Sequence, residues 1–358
     1  MDVGGAELRT IDLLRHLGPT GFEFHFATLS GREGTLRDEV RRLGGTIHPV
    51  PLRPMFPVTM WRLMRREKPT VLDSHVATFS GALLLLGWLA RVPRRIAHFR
   101  SDGDGHPDTP RRRLQRGLMT TLIRCFATDI IGVSPSALTF GYREDWEQDP
   151  RARVIPTGIP SFESGVGDDL RRTAGIGSVD PLIIHVGRPS PEKNRPHTVR
   201  VLHSMHQRGI RAHLALVGGS GVDSSDVLKE TKRLGLGPYV HDLGVRADAV
   251  GLMSQADVLL LTSLREGLPG VVLEAASAGT PVVASSLPGV TFIASSLPGV
   301  RCVALDEPME RWCEALIAAI EDGRNASWRA DARRAFDISP FSLAASLAAH
   351  RALYRGER

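Results

Sequence analysis

The chain has 358 residues, 42% of them hydrophobic and 23% charged, with a formal net charge of +6. That length exceeds one ordinary domain, and the composition supports two buried cores, which excludes fibrous and disordered classes. The longest apolar run, Ala82–Ala90, falls far short of the roughly 20 residues of a membrane span, and the opening MDVGGAEL has neither the basic start nor the apolar stretch of a secretion signal. Three cysteines, Cys125, Cys302 and Cys313, lack metal-ligand spacing and are expected as small core residues of a protein in the reducing cytoplasm. Positive charge gathers in the first half. Between residues 51 and 100, Arg53, Arg62, Arg65, Arg66, Lys68, Arg91, Arg94, Arg95 and Arg100 are opposed only by Glu67 and Asp73, and Arg111, Arg112, Arg113 and Arg116 follow. Two readings stand: a solvated arginine-rich surface, or a face for an anionic partner such as a phospholipid headgroup or a lipid-linked phosphate. Nucleic acid is not expected, because no aromatic residues interleave with the arginines to stack on bases.

Short β-branched or aromatic runs alternate with amphipathic stretches along the whole chain, the pattern of parallel sheets wrapped by helices. A first helix is expected over Ala6–Leu17, with Leu8, Ile11, Leu14 and Leu17 on one face. Strands are expected at Phe22–Leu29, Thr46–Val50, Val71–His75, Arg95–Phe99, Asp129–Ser134 and Val154–Pro156. The Gly- and Ser-rich stretch Thr157–Val179 reads as an interdomain connection. Further strands are expected at Leu182–Gly187, His213–Gly218, Val258–Thr262, Pro281–Ser285 and Cys302–Leu305, near-continuous apolar runs suited to burial on both faces. The heptapeptide ASSLPGV at Ala284–Val290 recurs at Ala294–Val300, and we assign it no function. In a doubly wound fold a glycine turn such as Gly4-Gly5 follows the first central strand, yet only Met1, Asp2 and Val3 precede it. A start codon placed too late accounts for this better than a truncated product.

Three segments carry the chemistry. In SLREGLPGVVLEAASAG, Ser263–Gly279, the turn Glu266-Gly267-Leu268-Pro269-Gly270 leads into a helix starting near Pro269. Its glycines leave backbone N–H groups open, and the helix N-terminus adds a positive dipole suited to a phosphate or a polyhydroxyl group. Glu266 and Glu274, eight residues apart, can both face one pocket. In IHVGRPSPEKN, Ile184–Asn194, the cations Arg188 and Lys193 follow a strand end, where an α/β fold binds anions. The third segment is Val3-Gly4-Gly5-Ala6-Glu7, a glycine pair before a helix.

Taken in order, GGAE at Gly4–Glu7, IIGVSPSAL around Ser134, VIPTGI at Val154–Ile159, GR-x4-KN at Gly187–Asn194, LALVGGSG around Gly218, HDLG ending at Gly244 and EGLPGVVLEA-x3-G-x-PVVAS resemble the retaining glycosyltransferases of the GT-B superfamily, family 4. The resemblance runs nearly end to end. It implies an α/β fold of two Rossmann-like domains with parallel sheets facing across a cleft, the first strand of the N-terminal one missing. The implied divisions are an acceptor-binding domain over 1–160, a nucleotide-sugar donor domain over 178–336, and a C-terminal helix over 337–358 that crosses back to the first domain. It further implies that Arg188 and Lys193 neutralise the departing nucleotide diphosphate. Glu266 and the backbone of Gly267, Leu268 and Pro269 would hold the donor sugar, Glu274 the ribose, and Gly4 and Gly5 would approach the diphosphate. A family histidine near the anomeric carbon maps to His98, with Arg100 two residues on as the other candidate for that place, and a second cleft histidine to His75. Phe292 departs from the family, which often has a glutamate there. The expected cofactor set is empty, with the nucleotide sugar as co-substrate and no divalent metal. The pair Asp102 and Asp104 has metal-motif spacing and reads as a polar loop.

The expected reaction is transfer of a sugar, with retention, to a cell-surface polysaccharide, a lipid-linked intermediate or a small molecule. The leaving phosphate would take the proton, since no placed general base is visible. Localisation is expected to be cytoplasmic, with peripheral contact at an anionic inner membrane face. The alternatives are an impaired relative that binds nucleotide sugar without transfer, and a nucleotide-sugar epimerase on the same fold.

Overall fold

A computed structural model describes residues 5–103, 109–163, 170–219 and 224–357. The chain divides into two compact units: one runs to Gly158 and takes back Leu343–Arg358, and the other spans Ile159–Ser342. The first holds strands β1 (His25–Thr28), β2 (Thr46–Pro49), β3 (Val71–Ser74), β4 (Arg94–Phe99), β5 (Asp129–Gly132) and β6 (Ala152–Val154). The second holds β7 (Leu182–Val186), β8 (His213–Val217), β9 (Val240–Asp242), β10 (Val258–Leu261), β11 (Val282–Ser285) and β12 (Val300–Val303). Each ladder joining these strands is parallel. Helices between successive strands make that possible, because a parallel pair needs a crossover.

The second unit has one six-stranded sheet in the order β12-β11-β10-β7-β8-β9. Strand alternation splits its apolar residues between two faces. Leu182, Ile184, Leu259, Leu261, Val282 and Ala284 pack under Val272, Leu273, Ile293 and Phe336 on one side. Ile183, Val258, Leu260 and Val283 pack under Val199, Leu202, Met205, Trp312 and Leu316 on the other. Each fully buried Leu, Ile or Val contributes about 1.5–3 kcal/mol of transfer free energy, so the unpatterned apolar runs of β7 and β10 follow from a sheet covered on both faces.

In the first unit the strands form two sheets, β1-β2 and β3-β4-β5-β6. Among the described residues β1 and β3 each keep one unpaired edge, and both strands border a cavity of about 570 Å³ with Met60, Leu63, Met64 and Leu83. The helix Gly5–Leu17 buries Ile11, Leu14 and Leu17. The C-terminal helix Leu343–Arg355 belongs to this unit: Leu353 is buried with Ile96, Ile131 and Ile155, and the Ser346 hydroxyl donates to Pro156 O at 3.2 Å. No helix among the described residues is long and apolar enough to cross a membrane.

Several expectations change. Leu170 and Ile176, read as part of a connecting segment, are buried in the second unit's core, Leu170 as the first residue of the one-turn helix Leu170–Thr173. A low density of apolar residues hid them, since each core contact there comes singly. Cys302 is half-buried and Cys125 exposed, the latter on the outward face of the helix Pro110–Phe126; of the three cysteines only Cys313 is buried. Gly4 and Asp104 lie outside the described residues.

Candidate active site

Parallel strands put all the loops that follow them at one edge of the sheet, and the second unit uses this to bring distant residues together. Beyond β7 the chain turns through Gly187 and Arg188 into a short 3-10 turn at Pro191–Lys193, and Asn194 takes the left-handed conformation at φ 48° before the helix Arg195–Gln207. Beyond β10 it runs through Ser263 and Glu266 to the helix Gly270–Ser277, for which Pro269 is the N-cap rather than the first helical residue. The two loops are stitched by one backbone and one side-chain hydrogen bond: Leu264 N donates to Glu192 O at 2.7 Å, and Thr262 Oγ1 donates to Asn194 O at 3.0 Å.

This stitching brings together two residues that are 73 positions apart. Lys193 Nζ donates to Glu266 Oε1 at 2.6 Å, and Ser263 Oγ donates to the same oxygen at 2.7 Å. Glu266 is therefore held in one orientation by a cation and a hydroxyl, beside the Gly267–Pro269 turn. No side chain caps the helix that follows, so its first N–H groups and its dipole are directed toward that turn. Arg188 is exposed, within electrostatic reach of Glu192, and Glu274 is half-buried one turn into the helix. Sequence reasoning named these residues but not the Lys193–Glu266 pairing, nor Ser263.

It also missed Arg195, which is 1% exposed. Its guanidinium donates to Gly219 O at 3.2 Å, to Val217 O at 3.3 Å and to Gly187 O, tying the carboxyl ends of β7 and β8 together. Gly218 sits at φ 131°, where a Cβ would lie 2.0 Å from Gly187 O, so this close approach admits only glycine. The signal was there, an arginine directly after Lys193-Asn194, but it reads equally as one more surface cation. His185 beneath the loop is buried. Burial, aided by the charges of Arg195 and Lys193, pushes its pKa down to about 3, so it stays neutral and its ring meets Leu260 O at 3.0 Å.

In the first unit, Gly5 opens the first helix. His75 and His98 meet around a residue the sequence reading passed over, Asp73. Asp73 Oδ2 accepts from Tyr354 Oη at 2.8 Å and lies 3.2 Å from His75 Nε2, while His98 Nδ1 stands 3.5 Å from Oδ1. Arg100 Nε donates to His75 Nδ1 at 2.9 Å. His98 is 1% exposed, its ring 4.4 Å from that of His75 and 5.9 Å from that of His350. Burial first, and then His75, lowers the His98 pKa to about 3. Burial alone would raise the Asp73 carboxyl, but the imidazoles of His75 and His98 hold it well below the usual range; burial and the Asp73 charge push the Tyr354 phenol well above its ordinary value. Asp73, His75 and His98 carry potential ligand atoms all within 4.8 Å of one another. The Arg100 hydrogen bond argues for a hydrogen-bonded cluster there, since it fixes the His75 lone pair on Nδ1 and leaves the proton, not a lone pair, on Nε2.

Comparisons with known proteins bear on what this geometry is for. The family model described as Glycosyltransferase Family 4 matches residues 3–161, and that described as Glycosyl transferases group 1 matches residues 180–322. The capsular polysaccharide biosynthesis glycosyltransferase CapH of Staphylococcus aureus is 27% identical over 292 residues, 80% of this chain and 79% of its own length. EpsF of Bacillus subtilis (strain 168) is 27% identical over 335 residues, 90% of this chain and 86% of its own. Among solved structures, Anabaena Alr3699/HepE in complex with UDP superposes with a TM-score of 0.81 at 20% identity, covering 99% of this chain and 96% of that one. The epimerase alternative falls with these matches. Two Rossmann-like units, ordered motifs at the strand ends and the two family models agree: the chain is a GT-B glycosyltransferase belonging to the family 4, group 1 enzymes.

Proposed function

We propose that the protein transfers a sugar, with retention of anomeric configuration, from a nucleotide-diphosphate donor held by the second unit to a polysaccharide or lipid-linked acceptor. The observation that carries this reading is the convergence of Lys193 on Glu266 at the carboxyl ends of β7 and β10, beside an uncapped helix N-terminus. Charge develops on the leaving diphosphate, and fixed cations aimed at it lower the barrier without reorganising during the reaction. Arg188 and Lys193 supply that charge, with Arg able to grip two phosphate oxygens. Glu266 and the Gly267, Leu268 and Pro269 backbone hold the sugar hydroxyls, Glu274 takes the ribose, and Gly5 approaches the diphosphate. The family resemblance assigns His75, and His98 or Arg100, to the reacting centre. The acceptor hydroxyl attacks the face the diphosphate leaves, and the departing phosphate takes its proton. Side-chain cations make a divalent metal unnecessary, so activity is expected to persist in chelator.

The polysaccharide acceptor is supported by the name of CapH, and UDP as donor nucleotide by the HepE complex. Peripheral membrane contact is supported by exposed apolar residues close in sequence to exposed arginines in the first unit: Leu52, Met55 and Trp61 near Arg53, Arg62 and Arg65, and Leu114 and Leu118 near Arg111. Co-sedimentation with anionic vesicles at low salt tests it. The donor reading is tested by thermal stabilisation against UDP-, GDP-, ADP- and TDP-sugars. A shift with one nucleotide class that weakens in Arg188→Ala and Glu266→Ala is expected. No shift with any of the four would sink it.

A further inference from the structure

The two sheets of the first unit turn unpaired backbone toward one cavity. Arg94 N donates to Thr70 O at 3.2 Å, and in a parallel ladder alternate residues point their N–H and C=O to opposite sides. Leu72 and Ser74 therefore serve β4, while Val71 and Asp73 turn their backbone groups away from it. On β1, Thr46 N donates to Phe24 O at 2.9 Å and Val50 N to Thr28 O at 3.0 Å, so Phe26 and Thr28 serve β2 while His25 and Ala27 turn away. Among the described residues these four outward-turned positions have no ladder partner. All four line the cavity of about 570 Å³. Thr28, which lines it too, is 8% exposed, and its Oγ1 has no hydrogen-bond partner.

The cavity has the size of one strand. An extended residue fills about 160 Å³, from a rise of about 3.3 Å, about 4.8 Å between strands and about 10 Å between layers. The cavity therefore takes about four residues, matching the 4 residues of β1 and the 4 of β3. Its surroundings are apolar on both faces of β1. Phe24 and Phe26 pack with Ile11 and Leu14, while Leu29, on the other face by alternation, packs with Met60 and Met64. A strand seated here would be covered on both sides, and such strands are apolar throughout.

The first helix points to the segment that fills it. Glu7 and Thr10, near the start of the helix Gly5–Leu17, line the cavity, and Glu7 lies within electrostatic reach of Arg100 just past the carboxyl end of β4. From there the helix leads through the 3-10 turn Gly18–Thr20 to the start of β1. A helix that begins at the carboxyl edge of a sheet and returns the chain to a strand is the second half of a crossover, whose first half is a parallel strand. We propose that the cavity between β1 and β3 is the seat of one apolar strand of about four residues, supplied in cis on the N-terminal side of Gly5 and joining the two sheets into one.

The test compares the full chain with two extended forms, one carrying an apolar, β-branched segment of about five residues ahead of Met1 and one carrying Gly and Ser instead. Melting temperature, amide hydrogen exchange and sedimentation are followed in each. The apolar extension is expected to raise the melting temperature of the first unit by about 4 °C or more and to slow exchange at His25, Ala27, Val71 and Asp73 about 100-fold, with the Gly and Ser form unchanged. Ala27→Pro removes one N–H that faces the cavity and none that serves β2. It should leave the unextended chain within about 2 °C and cancel much of the gain in the apolar form. Equal behaviour of the two extensions overturns the proposal, whether or not Ala27→Pro folds. An unextended chain that sediments as a dimer with these amides already protected also overturns it, because the strand then comes from a second copy.

Discussion

Gly289→Ala tests whether the turn that carries Glu266 must keep its place. Gly289 is buried in the helix Pro288–Ala294, and a Cβ built on it would lie 1.5 Å from Gly267 O, 2.7 Å from Gly267 C and 3.4 Å from Leu268 Cα. An ordinary contact needs roughly 3.5 Å, so the turn and the helix must separate by about 2 Å. No rotamer relieves the clash, because the obstacle is backbone. Overpacking of this kind costs about 1–3 kcal/mol of second-unit stability. The functional cost is expected to be larger, since misplacing a substrate-positioning group by about 1 Å can lower a rate about 100-fold. The assay is sugar transfer or nucleotide-sugar binding well below the melting temperature, with unfolding followed in parallel. Gly251→Ala serves as control: it lies in the helix Ala249–Gln255 with nothing within 4 Å of its added Cβ, and should change neither transfer nor binding. A Gly289→Ala protein that keeps transfer within twofold of wild type would refute the idea that the Gly267–Pro269 backbone is part of the donor site.

Lys193→Met removes the ammonium from Glu266 and leaves Ser263 as its donor; kcat/KM should fall about 10- to 100-fold, while the melting temperature changes little because both partners remain partly exposed. Arg195→Met leaves the carbonyls of Gly187 and Gly219 without this donor in a buried place, and urea unfolding should show a loss of at least about 3 kcal/mol. Stability should also fall with acid. Burial first of all lowers the pKa of His98 and His185 to about 3 and of His197 and His350 to about 4. Between those values and the unfolded value of about 6.5, the unfolded chain binds protons that the folded chain refuses. Each such histidine then removes about 1.4 kcal/mol per pH unit as pH drops below about 6.5 and has no effect above about 7. Melting temperatures equal at pH 7.5 and pH 5 would contradict this.

The sequence was sufficient wherever a signal is local. Short β-branched or apolar runs located the strands, and period-3.6 patterning the first helix, to within a few residues, because burial on one or both faces dictates which side chains a strand or helix can carry. Thus β7, expected at Leu182–Gly187, forms at Leu182–Val186, and the first helix, expected from Ala6, starts at Gly5. The order of the glycine and charge motifs was enough to identify the family and to name Arg188, Lys193, Glu266 and Glu274. What the sequence could not specify is which of those residues touch. Lys193 and Glu266 meet because two parallel strands bring their loops to one sheet edge, a consequence of strand order that no local window contains. Arg195 reads as a surface cation until the close approach of Gly218 to Gly187 surrounds it with carbonyls. Asp73 likewise reads as a lone strand-end carboxylate. Only when β3, β4 and the C-terminal helix pack together do His75, His98 and Tyr354 gather around it, since contacts between elements far apart in the chain are set by packing and not by neighbours in sequence.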